Sequence, residues 1–131
     1  MKIMVGYDGS GPAKEALKLA KLHAEAFKAS KLYVLSSLEG DTQGQVANLE
    51  KAEQDLAYAE VFLKNSEFET ETKLVTFGLS PGEALVEFAK ENEVDEIIIG
   101  IVKTSKVGKL VFGSTAQYVI LKSPCPVVTV K

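Results

Sequence analysis

The residues best equipped for chemistry lie in one stretch near the C-terminus, Gly100 to Thr115 (GIVKTSKVGKLVFGST). It carries Lys103, Lys106 and Lys109, is punctuated by Gly100, Gly108 and Gly113, and ends on Ser114 and Thr115. Each part suits a polyphosphate. Glycine lets an anion approach the backbone closely. Free N–H groups at the start of a following helix, with the helix dipole behind them, attract negative charge. Ser114 and Thr115 add hydroxyl donors. The same residues also read as a plain connection, in which glycines turn the chain and Ser114 caps a helix. Residue types alone leave both readings open.

Other chemistries lack their parts. A nucleophile–histidine–acid triad would need His23, the one histidine, which falls in mid-helix with no nucleophile-elbow motif to pair with. His23 reads instead as a helix-surface or partly buried residue. One histidine and one cysteine cannot furnish a zinc set. Cys125, between Pro124 and Pro126, reads as a small packed hydrophobe. Gly108-Lys109 matches the end of a Walker loop, but Lys103 stands at its first glycine and Leu110 replaces the Ser/Thr. Gly9-Ser10-Gly11 opens a dinucleotide fingerprint whose third glycine position holds Lys14. A phospho-acceptor receiver would need an aspartate ending the third strand, where the chain reads Val75-Thr76-Phe77-Gly78.

The elements that must position the Gly100–Thr115 stretch follow from hydrophobic period. Lys2–Tyr7 is a short apolar run ending in turn residues, a buried strand. Asp8-Gly9-Ser10-Gly11-Pro12 turns the chain into a helix, with Ser10 or Gly11 as N-cap and an apolar face of Ala13, Ala16, Leu17, Ala20, Ala24 and Phe27. Leu32–Leu35 is a second strand with Ser36-Ser37 at its polar end, and Glu39–Gly44 a polar loop. Val46 to Leu63 reads as a longer helix, and Thr70–Phe77 as a third strand. Ser80-Pro81-Gly82-Glu83 has the cap, first-turn proline and acidic third position of a helix start. Ile97-Ile98-Ile99 is a β-branched run suited to a strand covered on both faces, and Gly100 ends it. Ser114-Thr115-Ala116-Gln117 reads as a second capping box, opening a helix to Ser123. Val127–Val130 closes the chain as a strand.

This β-α-β-α-β-α-β-α-β order predicts an α/β fold: an open five-stranded parallel sheet with helices on both faces. With strand order 3-2-1-4-5, ligands bind where the order reverses, beyond the carboxyl ends of the first and fourth strands. Tyr7–Ser10 and Gly100–Ser114 then face each other across that crevice.

Composition bounds the rest. The 131 residues, 46% hydrophobic and 25% charged, suit one soluble domain over 1–131. A lone cysteine excludes an internal disulfide and points to a reducing, cytoplasmic home. No apolar run approaches the length of a membrane span. Every basic residue is lysine. The first 96 residues carry a net −8, whereas the last 35 hold five lysines and no acid. A positive end on an acidic body suits a small anion better than nucleic acid.

Taken in order, several segments resemble the universal stress protein family over the whole length. They are Val5-Gly6-Tyr7-Asp8-Gly9-Ser10, Ser80-Pro81-Gly82-Glu83, Val94-Asp95-Glu96-Ile97-Ile98-Ile99-Gly100, Gly113 to Ile120, and Cys125-Pro126-Val127-Val128. Nucleotide-binding members carry Gly-x2-Gly-x9-Gly-Ser/Thr in the fourth loop. Gly100, Gly113 and Ser114 match that spacing, while Lys103 takes the second glycine position. This looks like a variation in which a basic residue precedes a Ser-x-Val-Gly-Lys stretch, here Ser105 to Lys109.

The resemblance implies an adenine-nucleotide α-hydrolase-like fold and a stress-response protein that binds ATP or AMP, with Mg2+, and regulates rather than turns over. It implies that Gly6 and Asp8 face the adenosine end and Ser37 borders the adenine. Gly100, Lys103, Thr104, Ser105 and Lys106 would wrap the phosphates, with Gly113, Ser114 and Thr115 at the outer ones. Asp8 has a competing role as acceptor for the N–H groups of its own turn. A homodimer through Val127–Val130 is also implied, and an apolar edge strand invites such a partner. Two alternatives stand beside this reading. One is a dimeric interaction module of the same fold that binds no nucleotide. The other is a slow ATPase, for which only Asp8 could orient water or a metal.

Overall fold

A computed structural model describes residues 1–38, 45–75, 80–101, 104–106, 109–111 and 113–131. The main-sheet strands are β1 (Lys2–Gly6), β2 (Lys31–Ser37), β3 (Glu69–Val75) and β4 (Glu96–Gly100). After β4 come two short strands, β5 (Thr104–Lys106) and β6 (Lys109–Val111), and β7 (Val127–Val130) ends the chain. The helices are α1 (Gly11–Ala26), α2 (Gln45–Phe62), α3 (Pro81–Glu91) and α4 (Ser114–Lys122).

The main sheet is parallel, in the order β3-β2-β1-β4-β7. That is the expected 3-2-1-4-5 arrangement, since β7 is its fifth strand. Alternation along the strands divides the core in two. Ile3, Val5, Leu32, Val34 and Ile98 pack with α1 and α2 on one face. Met4, Tyr33, Leu35, Ile97 and Ile99 pack with α3 and α4 on the other. A strand covered on both faces must be apolar at consecutive positions, and Ile97-Ile98-Ile99 meets that demand.

Local chemistry starts two helices as expected. Ser10 caps α1, its Oγ accepting from Ala13 N at 3.2 Å. Ser80 caps α3, accepting from Glu83 N at 3.4 Å and donating to Glu83 Oε1 at 2.9 Å. The third start corrects the sequence reading. Gly113, not Ser114, is the N-cap of α4, and Gln117 N donates to the Gly113 carbonyl at 3.1 Å. The chain enters α4 at φ +82° and ψ 153°, a conformation that only glycine adopts without strain. Ser114 is thereby carried into the first helical turn, where its hydroxyl no longer occupies the cap position.

The long segment between β4 and α4 also departs from expectation. Read as an open loop, it contains instead an antiparallel hairpin pairing Thr104 with Val111, Ser105 with Leu110 and Lys106 with Lys109. Some of its amides therefore meet carbonyls of the same hairpin. The third strand ends at Val75; Thr76 and Phe77, assigned to it from sequence, lie outside the described residues, as does the Glu39–Gly44 loop.

Candidate functional site

All five strands of the main sheet point their carboxyl ends the same way, and β1 and β4 are neighbours whose following helices go to opposite faces. The chain therefore diverges at their ends and leaves a crevice of about 240 Å³. Five residues singled out from sequence line it: Gly6, Asp8, Ser37, Gly100 and Thr115. The β1 and β2 ends supply the first three, the β4 end supplies Gly100, and the first turn of α4 supplies Thr115.

The floor and walls were not anticipated. Leu35, Leu85 and Ile99 give the crevice an apolar floor, while Ala13, Pro81 and Ala116 bring the first turns of α1, α3 and α4 to its rim. Tyr7, expected at the crevice from the strand order, borders it as well, although its ring belongs to the core beneath α1 and α2. A signal for most of these residues was present: Leu35 and Ile99 sit near strand ends and Ala13, Pro81 and Ala116 within the opening turn of a helix, whereas Leu85 lies in the second turn of α3. Their convergence depends on strand order.

Gly100 explains itself through packing. A Cβ there would lie 2.4 Å from the Pro12 carbonyl carbon and 2.6 Å from Ala13 N. The first turn of α1 thus rests directly on the end of β4, and backbone lines the crevice where a side chain would fill it.

Asp8 fulfils the local role considered for it. Its Oδ1 accepts from Ser10 N at 3.0 Å, tying the carboxylate to the turn that leads into α1. It also lines the crevice. Local tethering and a place in the cleft are therefore compatible.

The start of α4 is built differently from those of α1 and α3. Gly113 has no side chain, and no side-chain cap hydrogen bond is made there. Thr115 and Ala116, in the turn that follows, face the crevice. Gly113 and Ser114 themselves are not among the lining residues. Thr104, Ser105 and Lys106 belong to the hairpin, where Lys106 stands opposite Lys109. Lys103 lies outside the described residues.

Tyr7 is the electrostatic outlier. Its hydroxyl is buried without a hydrogen-bond partner. Burial chiefly, with smaller contributions from Asp55, Tyr58 and Asp8, pushes its pKa up to about 12. A negative phenolate would be desolvated beside existing negative charge, so the neutral form is held.

His23, set aside as non-catalytic, donates from Nδ1 to Glu96 Oε1 at 2.7 Å and joins α1 to β4. Cys125 packs beside the α3/α4 core, and burial raises its thiol pKa, as suits a packing residue. Among the described residues no cluster of three metal-ligating side chains forms, and no helix is long and apolar enough to cross a membrane.

The sequence model of the universal stress protein family matches residues 1–131. The chain belongs to this family. A universal stress protein of Thermus aquaticus is 33% identical to it, over 98% of this chain and 97% of the relative. Among solved structures, one from Archaeoglobus fulgidus superposes with a TM-score of 0.86 at 33% identity, covering 100% of this chain and 93% of that one. A structure of the universal stress protein from Archaeoglobus fulgidus in complex with dAMP has a TM-score of 0.83 at 31% identity and covers 100% of this chain and 98% of that one. The fold expected from the family resemblance is therefore the fold of its solved relatives.

Proposed function

We propose that this universal stress protein binds an adenine nucleotide, ATP or AMP, in the β1/β4 crevice, and acts as a regulatory binding protein. The observation that carries the reading is the meeting of Asp8, Gly100 and Thr115 around one cleft, beside a helix start with no side-chain cap. A relative of similar architecture was solved with dAMP, which supports the ligand class.

About 240 Å³ lies just below the range of most ligand clefts, and suits a base and ribose better than a whole triphosphate. In this reading the base sits against Leu35 and Ser37, with the sugar near Asp8 and Gly6. The phosphates leave past Gly100 toward Gly113, Ser114 and Thr115, where helix amides favour anions. Lys103, Thr104, Ser105 and Lys106 wrap the phosphates in this reading, with Ser114 and Thr115 donating to the outer ones. The hairpin register sets Lys106 opposite Lys109. Any Mg2+ would arrive with the phosphates, Asp8 being the one acid at the cleft. No lining residue other than Asp8 can act as a general base at neutral pH, so binding without rapid turnover is proposed.

The second reading, a dimeric module without nucleotide, draws on two observations. The hairpin uses part of its own amides, and β7 is an edge strand whose valines are only half-buried. Pairing of two β7 strands is proposed under either reading. Calorimetric titration with AMP and ATP, with and without magnesium, of the protein and of Thr115→Val and Asp8→Asn decides between them. Saturable binding weakened about tenfold or more by either substitution, as expected for a lost charge-assisted hydrogen bond, upholds the nucleotide reading. Flat titrations would leave only the dimeric module.

A further inference from the structure

The turn that presents Asp8 is held from outside the cleft by helix α2. Lys51 Nζ donates to the backbone carbonyl of Asp8 at 3.0 Å. The same ammonium pairs with Asp55 Oδ2, one helical turn further along, at 2.9 Å. The Asp55 carboxylate in turn packs against Gly9, which sits at φ +78°; a Cβ on Gly9 would lie 2.4 Å from Asp55 Oδ1. Asp8 and Gly9 are thus gripped together, one through its carbonyl and the other through its bare Cα.

Helix stability does not account for this pair. A lysine preceding its acid by four residues is the weaker orientation relative to the helix dipole. Lys51 is also largely exposed, and an exposed ion pair contributes about 0–1 kcal/mol at most. What the pair does is mechanical: it joins α2 to a turn 43 residues away in sequence. On the other side of the turn, Ser10 N donates to Asp8 Oδ1. The carboxylate direction therefore depends on both tethers, and only one of them is local.

We infer that Lys51 and Asp55 are positioning residues that set Asp8 for its ligand, so that α2 tunes the affinity of the cleft without touching it. The inference rests on the nucleotide reading for its consequence, but the tether itself can be measured in the unliganded protein. Lys51→Met keeps the aliphatic stem and removes the donor, whereas Lys51→Arg restores a cation. NMR hydrogen exchange of the Ser10 amide reports the turn directly. In Lys51→Met it should quicken about threefold or more, as local opening becomes easier, and in Lys51→Arg it should return toward the wild-type rate. AMP and ATP affinities should fall by the same factor of about three to ten in Lys51→Met, because the phosphate end is not involved. The melting temperature should hold within about 3 °C, as for other exposed pairs.

Unchanged Ser10 exchange and unchanged AMP affinity in Lys51→Met would overturn the inference. So would a loss of affinity that tracks a large fall in melting temperature and is not recovered by arginine. If the wild-type protein binds neither nucleotide, the proposed function fails, while the Ser10 exchange rates still decide whether the tether exists.

Discussion

Replacing Tyr7 by phenylalanine removes a single hydroxyl that is buried, has no hydrogen-bond partner and carries a pKa raised to about 12. Two consequences follow, one at neutral pH and one in alkali. Burying an unpaired hydroxyl costs about 1–3 kcal/mol, so its removal should leave stability unchanged or raise it by about 1 kcal/mol. In alkali the sign is set by proton binding. Between pH 10 and about 12 the unfolded chain loses the Tyr7 proton while the native protein keeps it. The unfolded state then binds fewer protons, and stability falls as pH rises. Below pH 10 this contribution is fully present. Two pKa units at about 1.4 kcal/mol each, discounted for water at the cleft mouth, give a loss of about 2 kcal/mol that phenylalanine should abolish. Urea unfolding of both proteins at pH 7, 9, 10, 11 and 12 reads this directly, because the two differ only in the Tyr7 hydroxyl. Curves that stay parallel to pH 12 would refute the argument, as would a Tyr7→Phe protein less stable by more than about 1 kcal/mol at pH 7.

Three other perturbations test other parts of the fold. Gly100→Ala forces the Pro12–Ala13 backbone off the end of β4, and should cost about 3 kcal/mol, or roughly 10 °C in thermal unfolding, since overpacked backbone has nowhere to relax. Gly113→Ala meets no other described residue within 4 Å, so its penalty is set by the positive φ with extended ψ and should be about 1–3 kcal/mol. Comparing the two melting curves separates steric from conformational demand. Pro126 and Val130 turn their carbonyls toward β4, so the alternating Thr129 turns its N–H outward. Thr129→Pro should therefore spare the sheet and convert the proposed dimer to monomer in light-scattering chromatography. An unchanged mass would place the interface elsewhere.

Much of the architecture was legible because it is written in local period. Ile3-Met4-Val5 and Ile97-Ile98-Ile99 have no polar side to show water, which demands burial on both faces and hence flanking helices. Ser10 and Ser80 cap as read, since their hydroxyls reach amides only three residues on. The cap of α4 was misread for an instructive reason. Ser114 and Gln117 have the right spacing, but Gly113 can take a positive φ, and the helix begins one residue earlier. The hairpin was missed because Thr104–Lys106 and Lys109–Val111 are too short to display alternation.

The sequence by itself determined the order of the main-sheet strands and the four helices, the parallel sheet and the concentration of lysine and glycine after the fourth strand, since each depends on residue type and near-neighbour spacing. Only the tertiary structure decided what meets at the cleft. Leu35, Leu85 and Ala116 converge because β1 and β4 lie side by side, and Lys51 reaches the Asp8 carbonyl across 43 residues. Such contacts arise from how packed layers close over one another, and no local pattern encodes the distance between two side chains on different layers.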